Sequence, residues 1–217
     1  MNPTSEQQAI LDAFEAIRNN IKVLALAGTG KTSTLLELVK QHPETSFLYL
    51  AFNTAIKEEV QQKAKSRGLD NIKVKTQNGF CLELARGAGC NSRNIKGYMS
   101  VKDTIDRLRL SGDDKFLANP AFQIMRQFMI SDDSEMTLRH VPKSVEDRFH
   151  SQLLRFTNMP AEKILQAVDK KKKRALEIAK TLFSSFGFSS DLMLHDMYVK
   201  LVQLHYNDIQ IAEDVVL

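Results

Sequence analysis

KVLALAGTGKT, residues 22–32, joins an unbroken apolar run to a glycine-rich turn that ends in lysine and threonine. The run 22–27 reads as a short strand buried on both faces, as parallel sheets use. Gly28 and Gly30 let the backbone curl so that several N–H groups converge on one point. A helical stretch through Leu35, Leu36, Leu38 and Val39 follows, and its positive end faces the same point. Strand, glycine turn, lysine, hydroxyl and helix in that order make a phosphate-binding loop. The general pattern opens on glycine where Ala25 stands, a position the chemistry does not use. Ala27, Gly28, Thr29, Gly30, Lys31, Thr32 and Ser33 are the expected cradle. Lys31 would reach the β- and γ-phosphates of a nucleotide, and Thr32 would hold the Mg²⁺ that accompanies it.

The neighbours of this stretch repeat its grammar. PTSEQQAILDAFEAIRNN opens with a helix, on which Ile10, Leu11, Phe14 and Ile17 share a face and Thr4 and Gln7 have capping-box spacing. SFLYLAF, 46–52, reads as a second buried strand, NTAIKEEVQQKAKSRG as a charged helix closed by Gly68, and IKVKT, 72–76, as a third strand. NGFCLELARGAG is a short helix that ends in glycines. Strands and helices in alternation predict a parallel sheet with right-handed crossovers. From 91 to 190 the pattern is helical, with no convincing strand, and Pro120, Pro142 and Pro160 sit near helix starts. DLMLHDMYVKLVQLHYND reads as one more helix, and VVL, 215–217, as a returning strand. The expected fold class is α/β, a partial parallel sheet with a large helical insertion. Its parts are a sheet-bearing segment 1–90, a helical segment 91–190 and a return to the sheet at 191–217.

The 217 residues are 43% hydrophobic with a net charge of +4, enough apolar material for a core and a mild bias towards polyanions. Cys81 and Cys90 have no CxxC spacing and read as reduced thiols in a reducing compartment. The five histidines have no helical zinc spacing. The start of the chain lacks a secretory signal pattern, and no run is long enough to cross a bilayer. A cytoplasmic protein without a membrane partner is the expectation.

TSEQQAIL, ALAGTGKTST, LYLAFNTAIKEEV, KTQNGF and HDMYVKLVQL, in this order, resemble the N-terminal half of superfamily 1 DNA helicases of the UvrD/Rep type. Bacterial and phage forms near the F-box helicases are the most similar. The resemblance implies a RecA-like P-loop domain with a helical insertion, ATP and Mg²⁺ as cofactors, and ATP-driven 3′-to-5′ translocation on single-stranded DNA. It implies that Gln7 reads adenine, and that Phe52, Asn53, Thr76 and Asn78 touch single-stranded DNA. The family places lysine where Thr54 stands and histidine where Asn78 stands. It also implies that DVVL is the strand before the D-E-x-Q-D acids, so the chain would stop short of them; Glu213 and Asp214 precede that strand instead of following it.

Local readings stand beside these roles. Gln7 serves a capping box with or without a ligand. Phe52 is either a stacking ring or core, and Asn53 is either a phosphate contact or a helix cap. His195 reads as a structural residue beside the packed stripe of Tyr198, Leu201 and Val202. The lysine run 170–173 reads as a solvated helix face. Nucleotide and weak DNA binding without unwinding is the function expected of this chain alone. The remaining helicase half or another protein would be its partner. A truncated binding module, or a small P-loop kinase with RLR at 107–109 as its lid arginines, are the alternatives.

Overall fold

Two of the expected strands pair as neighbours: β1 (Phe47–Ala51) and β2 (Ile72–Thr76) run parallel from Phe47↔Ile72 to Ala51↔Thr76. The chain is described here by a computed structural model covering residues 3–16, 20–90, 93–188, 190–205 and 211–217. Its contacts divide it into two compact units, Met1–Phe80 with Gln210–Leu217 and Cys81–Ile209. The second unit takes in residues 81–90 and 191–205, which the sequence pattern had grouped with the sheet.

In the first unit, α1 (Ser5–Ala16) starts at a capping box in which Thr4 Oγ1 accepts the Gln7 N–H and Gln7 Oε1 accepts the Thr4 N–H. Ile17 lies outside the described residues. Helix α2 (Lys31–Gln41) packs Leu38 and Val39 with Leu11 and Phe47, and turns Leu36 towards Val74 and α3 (Thr54–Ser66). Gly68, at φ 66°, turns the chain out of α3, as its position after the charged stretch predicted. The side-chain amide of Asn71, one residue before β2, lies 3.2, 2.9 and 2.9 Å from the carbonyls of Val39, His42 and Thr45. The C-terminal end of α2 is thereby tied to the start of the strands, so its N-terminal end faces the end where the strands finish.

The expected strand at 22–27 does not form. Residues 20–26 carry no regular secondary structure and are exposed, with Leu24 86% and Leu26 80% exposed. An apolar strand needs a ladder partner, because unpaired backbone groups resist burial. The sheet has order β2-β1-β5, and neither edge offers such a partner. β2 carries Lys73 and Lys75, and edge lysines discourage pairing. β5 (Val215–Val216) is two residues long. Replacing Leu24 by Lys should therefore leave the melting temperature of this chain within about 1 °C, as for a surface change. A fall of about 5 °C or more would mean that the run is seated in a core.

β5 returns to the sheet as VVL predicted, pairing parallel with β1 through Phe47↔Val215 and Leu48↔Val216. Two acids anchor it. Asp214 accepts hydrogen bonds from the Ser46 N–H at 2.8 Å and the Ser46 hydroxyl at 2.7 Å, and Glu213 accepts from Lys73 at 2.7 Å. Those bonds hold both carboxyls below their ordinary range, Asp214 through Ser46 and Glu213 through Lys73. Both are thus more acidic folded than unfolded. Their stabilising effect is complete above the unfolded values of 3.8 and 4.5 and is lost as pH falls through the lower folded values. In an NMR titration the Val215 and Leu217 amides, which donate to the Ser46 and Leu48 carbonyls, should leave their paired positions below about pH 4. Amides that stay in place to pH 2 would show that β5 is held without its acids.

The second unit begins within α4 (Gln77–Gly87) and is mostly helical, but it also contains a short sheet missing from the sequence reading. β3 (Asn94–Lys96) pairs parallel with β4 (Leu192–Leu194), and α9 (His195–Leu204) starts only after β4. Three-residue strands are too short to show a period. Helices α5 (Val101–Leu108), α6 (Asp114–Met129), α7 (Lys143–Phe156) and α8 (Ala161–Ser184) form the insertion, with a core that includes Phe122, Met125, Phe149, Ile178 and Leu182. Pro142 and Pro160 precede α7 and α8 as expected. Pro120 instead lies inside α6, whose helix starts six residues before it. It forgoes one backbone bond, while the helix around it buries Leu117, Ala121, Phe122 and Ile124.

Candidate functional site

The loop 27–32 has the backbone its glycines predicted. Gly28 sits at φ 80° and Gly30 at φ 82°, both left-handed, and α2 begins at Lys31. Gly30 occupies the N-cap without a side-chain cap. The first turn of a helix has N–H groups with no intrahelical acceptor. Those of Lys31, Thr32 and Ser33 thus face the strand ends beside the positive end of the helix dipole, which suits an anion. A Cβ built on Gly28 meets nothing within 4 Å, so the loop is open on that side. Lys31 folds back, its Nζ donating to the Leu26 carbonyl at 2.6 Å, and Thr29 Oγ1 donates to the same carbonyl at 2.9 Å. The lysine is therefore beside the cradle and can exchange a carbonyl for a phosphate oxygen by side-chain rotation.

Gln7 reaches this loop from α1, with Nε2 donating to the Thr29 carbonyl at 3.4 Å. A Cβ on Gly30 would lie 2.8 Å from that same nitrogen, the mobile end of the Gln7 side chain, while the φ of 82° itself favours glycine here. The amide has two N–H donors and two acceptor lone pairs. The capping box takes one lone pair and the loop one N–H. One of each remains, so the cap and a purine contact are compatible roles. A shallow surface cleft enclosing only about 30 Å³ is lined by Gln7, Leu11 and Glu37 and by Arg67 at the end of α3. Arg67 Nη1 lies 3.5 Å from the Ser33 carbonyl. Neither Glu37 nor Arg67 has a signal in the sequence, since only the packing of α3 beside α2 brings them to the loop.

The expected DNA-contacting residues gather where β1 and β2 end. Ala51 and Thr76 are register partners, so Phe52–Asn53 and Thr76–Asn78 leave the sheet side by side. Phe52 is 85% exposed, which removes it from the core. Asn53 does cap α3, its Oδ1 accepting the Ile56 N–H at 2.9 Å. Thr76 Oγ1 likewise accepts the Gly79 N–H at 3.1 Å at the start of α4. Capping uses acceptors only: the amide N–H groups of Asn53 and the hydroxyl proton of Thr76 remain to donate. Asn78 is exposed.

Other sequence candidates resolve as structural. Glu213 and Asp214 hold the start of the strands, the end away from the loop. His195 Nδ1 lies 3.1 Å from the Tyr198 hydroxyl. Lys172 pairs with Glu146 at 2.9 Å and Lys173 with Asp169 at 2.7 Å, so half of the lysine run is spent on carboxylates. Arg107 binds the Ser185 carbonyl and hydroxyl, Ser190 and Asp191 and lies over Phe186, which leaves it no freedom to serve as a lid. Among the described residues no cluster of His, Cys, Asp and Glu is built to hold a metal, and no helix is long and apolar enough to cross a membrane. The left-handed glycines and the uncapped start of α2 suit an anion such as a phosphate.

Residues 4–216 match the UvrD/REP helicase N-terminal domain family. The chain belongs to that family. It is 28% identical over 221 residues to "F-box DNA helicase protein 1" of Schizosaccharomyces pombe (strain 972 / ATCC 24843), a match covering 93% of this chain and 22% of that protein. It is 46% identical over 145 residues to "F-box DNA helicase 1" of Gallus gallus, covering 64% of this chain and 14% of that protein. The chain thus spans less than a quarter of the length of either relative. No solved structure matches it.

Proposed function

We propose that this chain is the ATP-binding part of a helicase motor, a RecA-like P-loop domain that, within a complete protein, drives 3′-to-5′ translocation on single-stranded DNA. The observation that carries the reading is the loop 27–33, with two left-handed glycines, Lys31 at its lip and a helix N-terminus free of any side-chain cap. Bound Mg-ATP would supply phosphoryl-transfer chemistry. Ala27–Ser33 cradle the phosphates with backbone N–H groups, and Lys31 neutralises their charge. Thr32 offers its hydroxyl to Mg²⁺, and Gln7 steadies the loop while its remaining donor and acceptor meet adenine. Phosphoryl transfer depends almost wholly on positioning, and a translocating motor also needs groups from a second domain, so a partner half or protein would complete the cycle.

Single-stranded DNA lies, in this reading, across Phe52, Asn53, Thr76 and Asn78. Asn53 and Thr76 donate to phosphates and Phe52 stacks on a base, giving contacts that ignore sequence and weaken steeply with salt. Phe52→Ala should leave the melting curve unchanged and weaken oligonucleotide binding by about 1–3 kcal/mol, the usual value of one stacked base. Wild-type affinity for oligonucleotide in the mutant would take this surface out of the DNA path.

A further inference from the structure

We infer that Arg67 is a nucleobase-binding residue, covering the face of the purine whose phosphates sit at the loop. This inference rests on the nucleotide reading above and adds a residue to it. A nucleotide held at the N-terminus of α2 must direct its base along one of the walls beside the loop. The cleft lined by Gln7, Leu11, Glu37 and Arg67 is contiguous with the loop, because Ser33 and Thr34 also line it and Gln7 donates to the Thr29 carbonyl. Its floor is apolar at Leu11, which is buried, so a flat aromatic ring would lie there with little loss of polar solvation. The cleft is shallow, and an edge contact from Gln7 alone would leave one face of the base in water.

Arg67 stands at the rim of that cleft. It is exposed, and the 3.5 Å approach of its guanidinium to the Ser33 carbonyl brings it over the first turn of α2. A guanidinium is planar and weakly hydrated, and it stacks on aromatic faces in a way an ammonium does not. Glu37, on the same wall, is a carboxylate that accepts from an exocyclic amine, which adenine and guanine both carry. Arg67 supplies affinity for the ring, and Glu37 a polar contact at its edge that either purine amine can meet.

The test compares ADP with inorganic tripolyphosphate, which has the phosphates and no base, by calorimetry on the whole chain. Arg67 follows α3, and its backbone N–H bonds within that helix survive truncation. Arg67→Ala should weaken ADP by about 3- to 30-fold, the range of a partly desolvated cation–π contact, and leave tripolyphosphate unchanged. Arg67→Lys should recover only a minor part of the ADP affinity. Unchanged ADP binding in Arg67→Ala would overturn the inference alone, as would an equal loss for tripolyphosphate, which would put Arg67 on the phosphates. Wild-type protein that binds neither ligand would overturn the nucleotide reading and this inference together.

Discussion

Lys31→Ala should abolish measurable nucleotide binding while leaving the fold intact. The ammonium is exposed and contacts only its own loop, chiefly the Leu26 carbonyl, so truncation strands no buried group. Its value lies in the charge it offers to phosphate oxygens. Hydrogen bonds to charged groups are worth about 1.5–3 kcal/mol each, and Lys31 would make two such contacts, to the β- and γ-phosphates. A loss of about 100-fold or more in Mg-ATP or ADP affinity is the expected result, with a melting temperature within about 1 °C of wild type. The exposed neighbour Lys40, near the end of α2 and away from the loop, is the control: Lys40→Ala should bind as wild type does. Equal affinities for wild type and Lys31→Ala would remove the loop from function whatever the family.

The largest expected effect on stability belongs to the other unit. Lys200 on α9 is fully buried, 0% exposed. Its ammonium donates to the Ser131 carbonyl at 3.0 Å, to Gln203 Oε1 at 2.9 Å and to the Asp133 carbonyl, and it lies 4.1 Å from the centre of the Phe128 ring. Burial pushes its pKa below the ordinary lysine value. Ser131 and Asp133 follow the C-terminal end of α6, where carbonyls collect without donors and favour a cation. Lys200→Ala removes that donor from several acceptors at once and leaves a cavity. The cost should be about 3–5 kcal/mol, or a fall of roughly 10 °C in melting temperature for a chain of this size. Lys200→Met keeps most of the stem and should cost about 1–3 kcal/mol, the part due to the stranded acceptors. Denaturant unfolding of the two variants separates the contributions. A Lys200→Ala protein as stable as wild type would show that the ammonium is not what closes this end of α6.

Much of this architecture is readable from local chemistry, because each of those signals is short-ranged. Gly28 and Gly30 announce a left-handed loop, Thr4 and Gln7 a capping box, and Asn53 a helix start, and each forms as its residues require. Signals that depend on distant partners are less legible. KVLALA has the composition of a buried strand, but composition cannot say whether a ladder partner is at hand, and here the run stays exposed. β3 and β4 lie about a hundred residues apart in the chain, and their pairing is invisible in either segment alone. Pro120 looks like a helix start because proline usually breaks helices, but the apolar face of α6 outweighs one lost bond. In the candidate site, Phe52 reads from the sequence as either core or a DNA contact, and its exposure removes it from the core. Arg67 and Glu37 carried no sequence signal, since side chains from α2 and α3 meet only through packing.

The central claim is that the sheet-bearing unit holds a nucleotide at residues 27–33, and NMR titration of the labelled chain with Mg-ADP tests it most directly. The amides of Gly28–Ser33 should shift together and saturably, with the side-chain amide of Gln7 following them and the amides of α6 and α8 unmoved. Saturable binding that leaves the Gly28–Ser33 amides in place, or that shifts the helical unit instead, would contradict the account.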